Sequence, residues 1–155
     1  MQTLTECGEW LLQRRVLPQH TDHAGVMWHG AYLAWLEEAR VEALAAAGLA
    51  YSDLSAEGLE LPVVSLAIDY RRSLLHGDAV ALCTVVLPRQ GVKLPWFSRF
   101  YGPSGELAAT ARVELVLVDR RGREGGDGGL APGRVLRRWP PDLALAMERL
   151  QRGPG

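Results

Sequence analysis

The sequence predicts an α+β fold in which one long helix packs against an antiparallel sheet. A proline-free stretch rich in alanine and leucine follows Gly30 and closes on Gly48, which is typical of a helix with a glycine stop. Strand-like runs rich in Val, Leu, Phe and Tyr come after it, and the short turns between them favour hairpins. A helix and a one-sided sheet must bury their apolar faces together, so we expect the helix to lie across the sheet.

The individual elements follow from local signals. Residues 9–17 are predicted to form a first strand, which Pro18 ends because proline lacks the backbone donor that a strand needs. The helix is predicted at about residues 30–48, and the segment YSDLSAEGLE is interpreted as a loop with a helical turn after Ser52. Four further strands are predicted as a meander, at 61–71, 79–88, 92–101 and 107–119. A short terminal helix is expected beyond Pro141, with Asp142 near its start.

The length of 155 residues favours a single domain with its core at about residues 9–120. The glycine-rich segment 122–133 shows no periodicity and is predicted to be a mobile loop. It is not interpreted as a phosphate-binding loop, because no strand-to-helix glycine motif surrounds it.

Composition narrows the class of protein. A net charge of −1 argues against bulk binding of nucleic acid, which needs a basic excess. No apolar run reaches the roughly 20 residues of a membrane helix, and the first residues do not resemble a signal peptide. Cys7 and Cys83 are far apart and lack a CxxC spacing, which favours a reduced setting without a structural disulfide. We therefore expect a soluble, cytoplasmic protein.

The stretch from Thr21 to Arg40, TDHAGVMWHGAYLAWLEEAR, carries the chemistry that this sequence suggests. It places Asp22 and His29 around Gly25 and then runs into the predicted helix. A helix N-terminus offers free N–H groups and the positive end of the helix dipole, which can hold an oxyanion. A carboxylate beside it can attack a carbonyl or activate water.

This stretch resembles the hotdog-fold acyl-CoA thioesterases of the 4-hydroxybenzoyl-CoA thioesterase type. Their pattern is Asp, two residues, Gly, three residues, His, two residues and Tyr, followed by an amphipathic helix that often carries Glu and Arg. The matching positions here are Asp22, Gly25, His29, Tyr32, Glu38 and Arg40. The resemblance covers roughly residues 9–120. His20 and Ala31 depart from the pattern, since the family often has Asp and Asn at these positions.

The resemblance implies a hotdog fold, with an antiparallel five-stranded sheet wrapped on one long central helix, and an acyl-CoA thioesterase. Asp22 would be the nucleophile or the general base, and the helix N-terminus near His29 and Gly30 the oxyanion site. A packing or capping role remains the alternative for each, and Glu38 is expected to serve in a salt bridge if it does not contact substrate. The residues predicted to contact substrate are Gly25, Trp28, Tyr32, Glu38, Tyr70, Arg72, Arg89 and Lys93.

The resemblance also implies no cofactor, and a homodimer or homotetramer with active sites at subunit interfaces. The expected partner is acyl-CoA, with acyl carrier protein as an alternative source of the acyl group. His20, Asp22, His23 and His29 lack the spacing of a zinc site, so no metal is predicted. Two rival functions stay open: a hotdog hydratase, although its Asn-Pro pattern is absent, and a hotdog module that binds acyl thioesters without cleaving them.

Overall fold

The computed structural model describes residues 8–121 and 133–154. Apart from Gly133, the segment predicted to be a glycine-rich loop lies outside these residues. The helices are α1 (His29–Ala47), α2 (Tyr51–Ala56) and α3 (Pro141–Arg152). The strands are β1 (Trp10–Arg15), β2 (Leu59–Glu60), β3 (Val63–Tyr70), β4 (Ala79–Val86), β5 (Lys93–Tyr101), β6 (Leu107–Val116), β7 (Val118–Asp119) and β8 (Arg134–Val135).

The main sheet has five antiparallel strands in the order β1-β4-β5-β6-β3. Helix α1 begins after β1 and ends at Gly48, whose φ of 91° is the left-handed conformation that stops a helix. The predicted α+β class and five-stranded antiparallel sheet are therefore confirmed. A second, three-stranded sheet has the order β2-β7-β8.

The predicted four-strand meander is wrong in one connection. Strands β4, β5 and β6 do form consecutive hairpins, but β3 pairs with β6, with Tyr70 opposite Ala109, and does not pair with β4. Strand β1 takes the place beside β4. The reason is that residues 71–78 do not form a hairpin turn; they cross to the loop before α1, where Leu75 forms a β-bridge with Val26.

The core lies between α1 and one face of the sheet. Trp35, Leu36 and Leu44 of the helix are buried with Leu82 and Phe100 of the sheet in one apolar cluster. Thr84 and Ser98 are the buried polar side chains in this layer of the described chain, and their hydroxyls hydrogen-bond to each other at 2.8 Å. The pair therefore carries no unsatisfied polar group into the core.

Strand β3 is the exposed edge of the sheet. Of the strands that the structure describes, β6 alone pairs with it, and its side chains remain open, with Val64 50% and Tyr70 54% exposed. Val63 and Leu66 are also largely exposed. Helix α1 thus covers the sheet towards β1 more completely than towards β3.

Among the described residues, no helix is long and apolar enough to cross a membrane.

Candidate active site

The loop that carries Asp22 is closed on itself by backbone hydrogen bonds. Thr21 and Met27 form an antiparallel bridge, and the N–H of Asp22 donates to the carbonyl of Val26 at 2.9 Å. Gly25 makes the turn with a φ of 78°, which L-residues rarely adopt. We call residues 21–28 the Asp22 loop.

The Asp22 carboxylate is fixed through one of its oxygens. Its Oδ1 accepts hydrogen bonds from the backbone N–H groups of Ala24, at 2.9 Å, and of Val26, at 3.1 Å. The side chain is otherwise exposed. This arrangement caps the loop, and Oδ2 accepts no hydrogen bond from the residues that the structure describes.

Helix α1 begins immediately after this loop without a side-chain cap. The N–H of Trp28 donates to the carbonyl of His20, and that of Ala31 donates to Trp28 at 2.9 Å. The N–H groups of His29 and Gly30 have no acceptor among the residues that the structure describes. Two donors at the positive end of a helix dipole are therefore available to an anionic or polarised oxygen.

Trp28 lies over the first turn of α1. A side chain on Gly30 would collide with the outer ring of the Trp28 indole, so a larger residue here requires the indole to move. The indole is 45% exposed and lies edge-on to the His29 ring, with 5.1 Å between ring centroids. An aromatic surface is thus presented beside the two free N–H groups.

A row of aromatic rings lines the same end of the helix. Tyr32 is 2% exposed and contacts Phe100 and Tyr70 edge-on, at ring-centroid distances of 5.0 and 5.1 Å. Burial raises the pKa of Tyr32 to about 12, so the phenol is neutral at physiological pH. Tyr32 therefore forms an apolar wall with a neutral hydroxyl.

A second loop supports the Asp22 loop and was not recognised from the sequence, where it was read only as a turn between strands. The N–H of Met27 donates to the carbonyl of Leu74 at 2.8 Å, and that of His76 donates to Gly25 at 3.0 Å. Asp78 accepts a hydrogen bond from the N–H of Leu75 at 2.9 Å, which fixes the turn. The only local sequence signal in this loop is the His-Gly-Asp turn at residues 76–78. A turn signal does not show which distant segment the loop contacts.

Two predicted phosphate contacts lie at the other end of the sheet. Lys93 begins β5 and Tyr101 ends it, a separation of about 26 Å for an extended strand. Tyr101 pairs near Leu107, at the end of the sheet where Tyr70 and Arg72 lie. Arg89 sits beyond Lys93: its Nη2 donates to the carbonyl of Arg137 at 2.8 Å, and its guanidinium lies 5.7 Å from the centroid of the Trp139 ring.

Glu38 is engaged on the β1 side of α1. Its carboxylate pairs with Arg14 of β1, and the same guanidinium lies 3.5 Å from Glu42. These contacts raise the pKa of Arg14, chiefly through the hydrogen bond to Glu38. The structure thus gives Glu38 the salt bridge that was expected as its alternative role.

Within the described residues, no group of three or more His, Cys, Asp or Glu side chains is arranged to hold a metal ion.

Comparison with known proteins identifies the family. A family model described as the Thioesterase-like superfamily matches residues 16–147. The chain belongs to this family. The predicted resemblance to hotdog thioesterases is confirmed, and the prediction of a thioester hydrolase is confirmed at the level of the family.

Individual relatives agree with this assignment. A Synechocystis protein provisionally named an esterase is 40% identical over 128 residues, covering 82% of this chain and 71% of that protein. The acyl-CoA thioester hydrolase YbgC of Escherichia coli is 29% identical over 105 residues, covering 68% of this chain and 78% of that one. Among solved structures, the DHNA-CoA thioesterase of Staphylococcus aureus superimposes with a TM-score of 0.75 at 25% identity, covering 92% of this chain and 91% of that chain.

In this thioesterase-like chain, the predicted residues divide into two groups. One group gathers around the Asp22 loop and the start of α1: Asp22, Gly25, Trp28, His29, Gly30, Tyr32 and Tyr70. Arg72 follows β3 at the same end of the sheet, where its backbone N–H donates to the carbonyl of Ala108. The other group, Glu38, Arg89 and Lys93, lies elsewhere in the same chain. The first group is our candidate active site.

Proposed function

We propose that this protein hydrolyses acyl-CoA thioesters to the free acid and coenzyme A, with Asp22 as the reacting carboxylate. The observation that carries the proposal is the Asp22 carboxylate held by two backbone N–H groups, in a loop that leads directly to the free N–H groups of His29 and Gly30. A thioester needs an attacking group and a stabilised oxyanion, and this end of α1 offers both.

Asp22 acts in one of two ways. Its free oxygen attacks the thioester carbon and expels the thiolate, and water then hydrolyses the resulting anhydride; or it removes a proton from a water that attacks the same carbon. Both routes need the ionised carboxylate. In both, the developing oxyanion accepts hydrogen bonds from the N–H groups of His29 and Gly30.

The acyl group would lie against the aromatic surfaces at this end of the helix. Trp28 and Tyr70 are exposed beside buried Tyr32, so an apolar acyl chain or ring can pack there without displacing core residues. The related structure from S. aureus is named a DHNA-CoA thioesterase, and the E. coli relative is named an acyl-CoA thioester hydrolase. These names support coenzyme A as the thiol, and leave the acyl group open.

We further propose that two copies associate through their β3 edges. An eight-residue strand with one free side and exposed Val64, Leu66 and Tyr70 matches a surface that becomes buried on assembly. A two-fold axis would pair the two strands antiparallel, because each copy then presents the same surface to the other. The sheet would become continuous across the dimer.

In this assembly, Lys93 and Arg89 of one copy would approach the candidate site of the other copy. Antiparallel pairing places the Val63 end of one β3 beside the Tyr70 end of the other. Lys93 and Arg89 lie at the Val63 end of the sheet, so each copy would bring them towards the candidate site of its partner. They would then meet the phosphates of coenzyme A that is bound at the other copy's Asp22. Two such dimers would form the tetramer that the family resemblance implies.

Release of free thiol from a panel of acyl-CoA thioesters tests the proposed activity. Asp22→Asn should lower kcat on the order of 10² or more, because the reacting charge is lost while the amide oxygen can still accept the loop's two hydrogen bonds. Asp53→Asn, which changes an exposed carboxylate on α2, is the matched control and should retain activity.

Three results would contradict the proposal. Near wild-type turnover by Asp22→Asn would make Asp22 a loop cap only. Tight binding of acyl-CoA without release of thiol, for every acyl group in the panel, would favour a binding module. Addition of water to an enoyl-CoA without release of thiol would favour a hydratase.

A further inference from the structure

Arg40 is a half-buried cation whose charge lacks a close partner. Its Nε atom is buried and has no hydrogen-bond acceptor among the described residues. Burial lowers the pKa of Arg40, while Tyr51 and, to a smaller extent, Glu37 oppose that shift. Arg40 and Glu37 are close enough to interact, yet no ion pair within 4 Å joins them. A guanidinium stays charged in proteins, so partial burial without a good partner is unfavourable.

Glu37 and Arg40 lie on the flank of α1 that faces the open side of the sheet. The opposite flank carries Glu38 and Glu42, which face Arg14 of β1. With 3.6 residues per turn, Leu33, Glu37 and Arg40 fall on the other flank. Arg40 lies near Tyr51, whose hydroxyl donates to the carbonyl of Leu61, two residues before β3. This flank therefore borders the exposed β3 edge.

The position along the helix matches the centre of β3. Tyr32 contacts Tyr70, which fixes one point where helix and strand meet. The centre of β3 lies about 12 Å from that point along the strand. The same distance along a helix is about eight residues, which leads from Tyr32 to Arg40. Glu37 is less than one turn away, so both charges lie close to any two-fold axis through the middle of β3.

We infer that a second copy of this chain covers this flank, and that Arg40 pairs with the partner's Glu37 while Glu37 pairs with the partner's Arg40. Two antiparallel copies of α1 bring the two charges together reciprocally, because residues on either side of a two-fold axis face each other's counterparts. The exposed side chain of Leu33, 39% exposed, lies on the same flank and would be buried with the pair. The inference rests on the two-copy assembly in the proposed function, and it names the charge pair that selects the partner.

Charge reversal tests the pair. Glu37→Arg and Arg40→Glu should each raise the dimer dissociation constant by about tenfold or more, since each places like charges at the interface. An equimolar mixture of Glu37→Arg chains with Arg40→Glu chains should restore a dimer that contains one chain of each kind. Analytical ultracentrifugation and native mass spectrometry measure both effects. Glu42→Arg reverses a charge on the β1 flank of the same helix and should leave the dissociation constant unchanged.

Arg40→Met keeps most of the side-chain stem without its charge, and it guards against loss of folding in Arg40→Glu. A folded Arg40→Met that dimerises more weakly, together with the heterodimer, would support the pair. Homodimers of both reversal variants as stable as the wild type, or a wild-type protein that stays monomeric at high concentration, would overturn it. Thioesterase activity is assayed separately. A wild-type protein that is inactive, but whose reversal variants form the heterodimer, would refute the proposed activity alone. An active wild-type dimer whose reversal variants dimerise as well as the wild type would refute the pair alone.

Discussion

The Trp28 indole lies directly over Gly30, in the position that a side chain at residue 30 would occupy. The N–H of Gly30 is one of the two free donors at the start of α1. We expect the indole to keep water from one side of the proposed oxyanion site, because a hydrogen bond from this donor is stronger when water is excluded.

Gly30→Ala should lower kcat/KM about tenfold or more, because the added methyl group displaces the indole from the helix start. The measurement is steady-state hydrolysis of the best acyl-CoA. Trp28→Ala provides the control: with the indole removed, adding Gly30→Ala should cause little further loss, as expected for two residues that act through one contact. Additive losses would mean that residue 30 acts independently of the indole.

Gly25→Ala should lower the free energy of unfolding by about 1–2 kcal/mol, because its φ of 78° is unfavourable for a residue with a Cβ atom. Space is not the reason, since nothing lies within 4 Å of an added Cβ. Chemical denaturation measures the change. Gly25→Asn should be less harmful, because asparagine tolerates this conformation better. Equal losses for both variants would point to a cause other than backbone angle.

Sequence signals predicted the long helix and most strand bounds because those signals are local. The stop at Gly48 and the hairpins around Gly91 and Gly105 depend on residues a few positions apart. The position of β3 beside β6 was not predictable in this way, since strand order depends on pairing between distant segments. The bridge between Val26 and Leu75 was missed for the same reason, although it supports the Asp22 loop.

In the candidate site, too, the local features could be predicted from the sequence and the long-range ones could not. Asp22, Gly25 and His29 could be grouped from sequence because they lie in one loop and the start of one helix, and the resemblance to hotdog thioesterases added Tyr32. The placement of Arg89 and Lys93 relative to them depends on the register of the full sheet, which no local pattern encodes. Those two residues remain predictions for the substrate's phosphates.

Arg89→Ala should raise KM for acyl-CoA with little change in kcat, as expected when binding common to substrate and transition state is lost. The effect should be much smaller for an acyl-pantetheine, which lacks the nucleotide phosphates. Equal losses on both substrates would assign Arg89 to the fold, in keeping with its hydrogen bond to the Arg137 carbonyl. No loss on either substrate would leave Arg89 outside the site, and acyl carrier protein would become the better candidate.

Mixed dimers test whether Arg89 serves the partner's site. Asp22→Asn chains and Arg89→Ala chains, mixed in equal amounts, should form heterodimers in which one of the two sites is intact. Because half of the dimers are then mixed, about a quarter of all sites should regain wild-type kcat/KM at low substrate. If Arg89 serves the site of its own chain, no intact site forms and the mixture shows only the average of the two parents.

Alkaline unfolding tests the burial of Tyr32. Its pKa is about 12 in the folded protein against 10.0 for an ordinary tyrosine, so the folded state holds the proton more tightly. The stability that this provides is complete below pH 10 and is lost as the pH rises towards 12, at an overall cost on the order of 2–3 kcal/mol. Tyr32→Phe should flatten the fall in unfolding free energy over this range. An unchanged slope would mean that the phenol ionises freely in the folded state.

The open edge of β3 affects the risk that newly made chains aggregate. Within residues 8–121 and 133–154, one side of this eight-residue strand has no strand partner, and it carries exposed valine and leucine side chains. Such an edge can pair with other extended polypeptides, so newly made chains are at risk of indiscriminate cross-chain pairing as long as it stays open. Self-recognition at this edge would act as protection against aggregation, and the yield of usable protein would depend on how quickly nascent copies find one another.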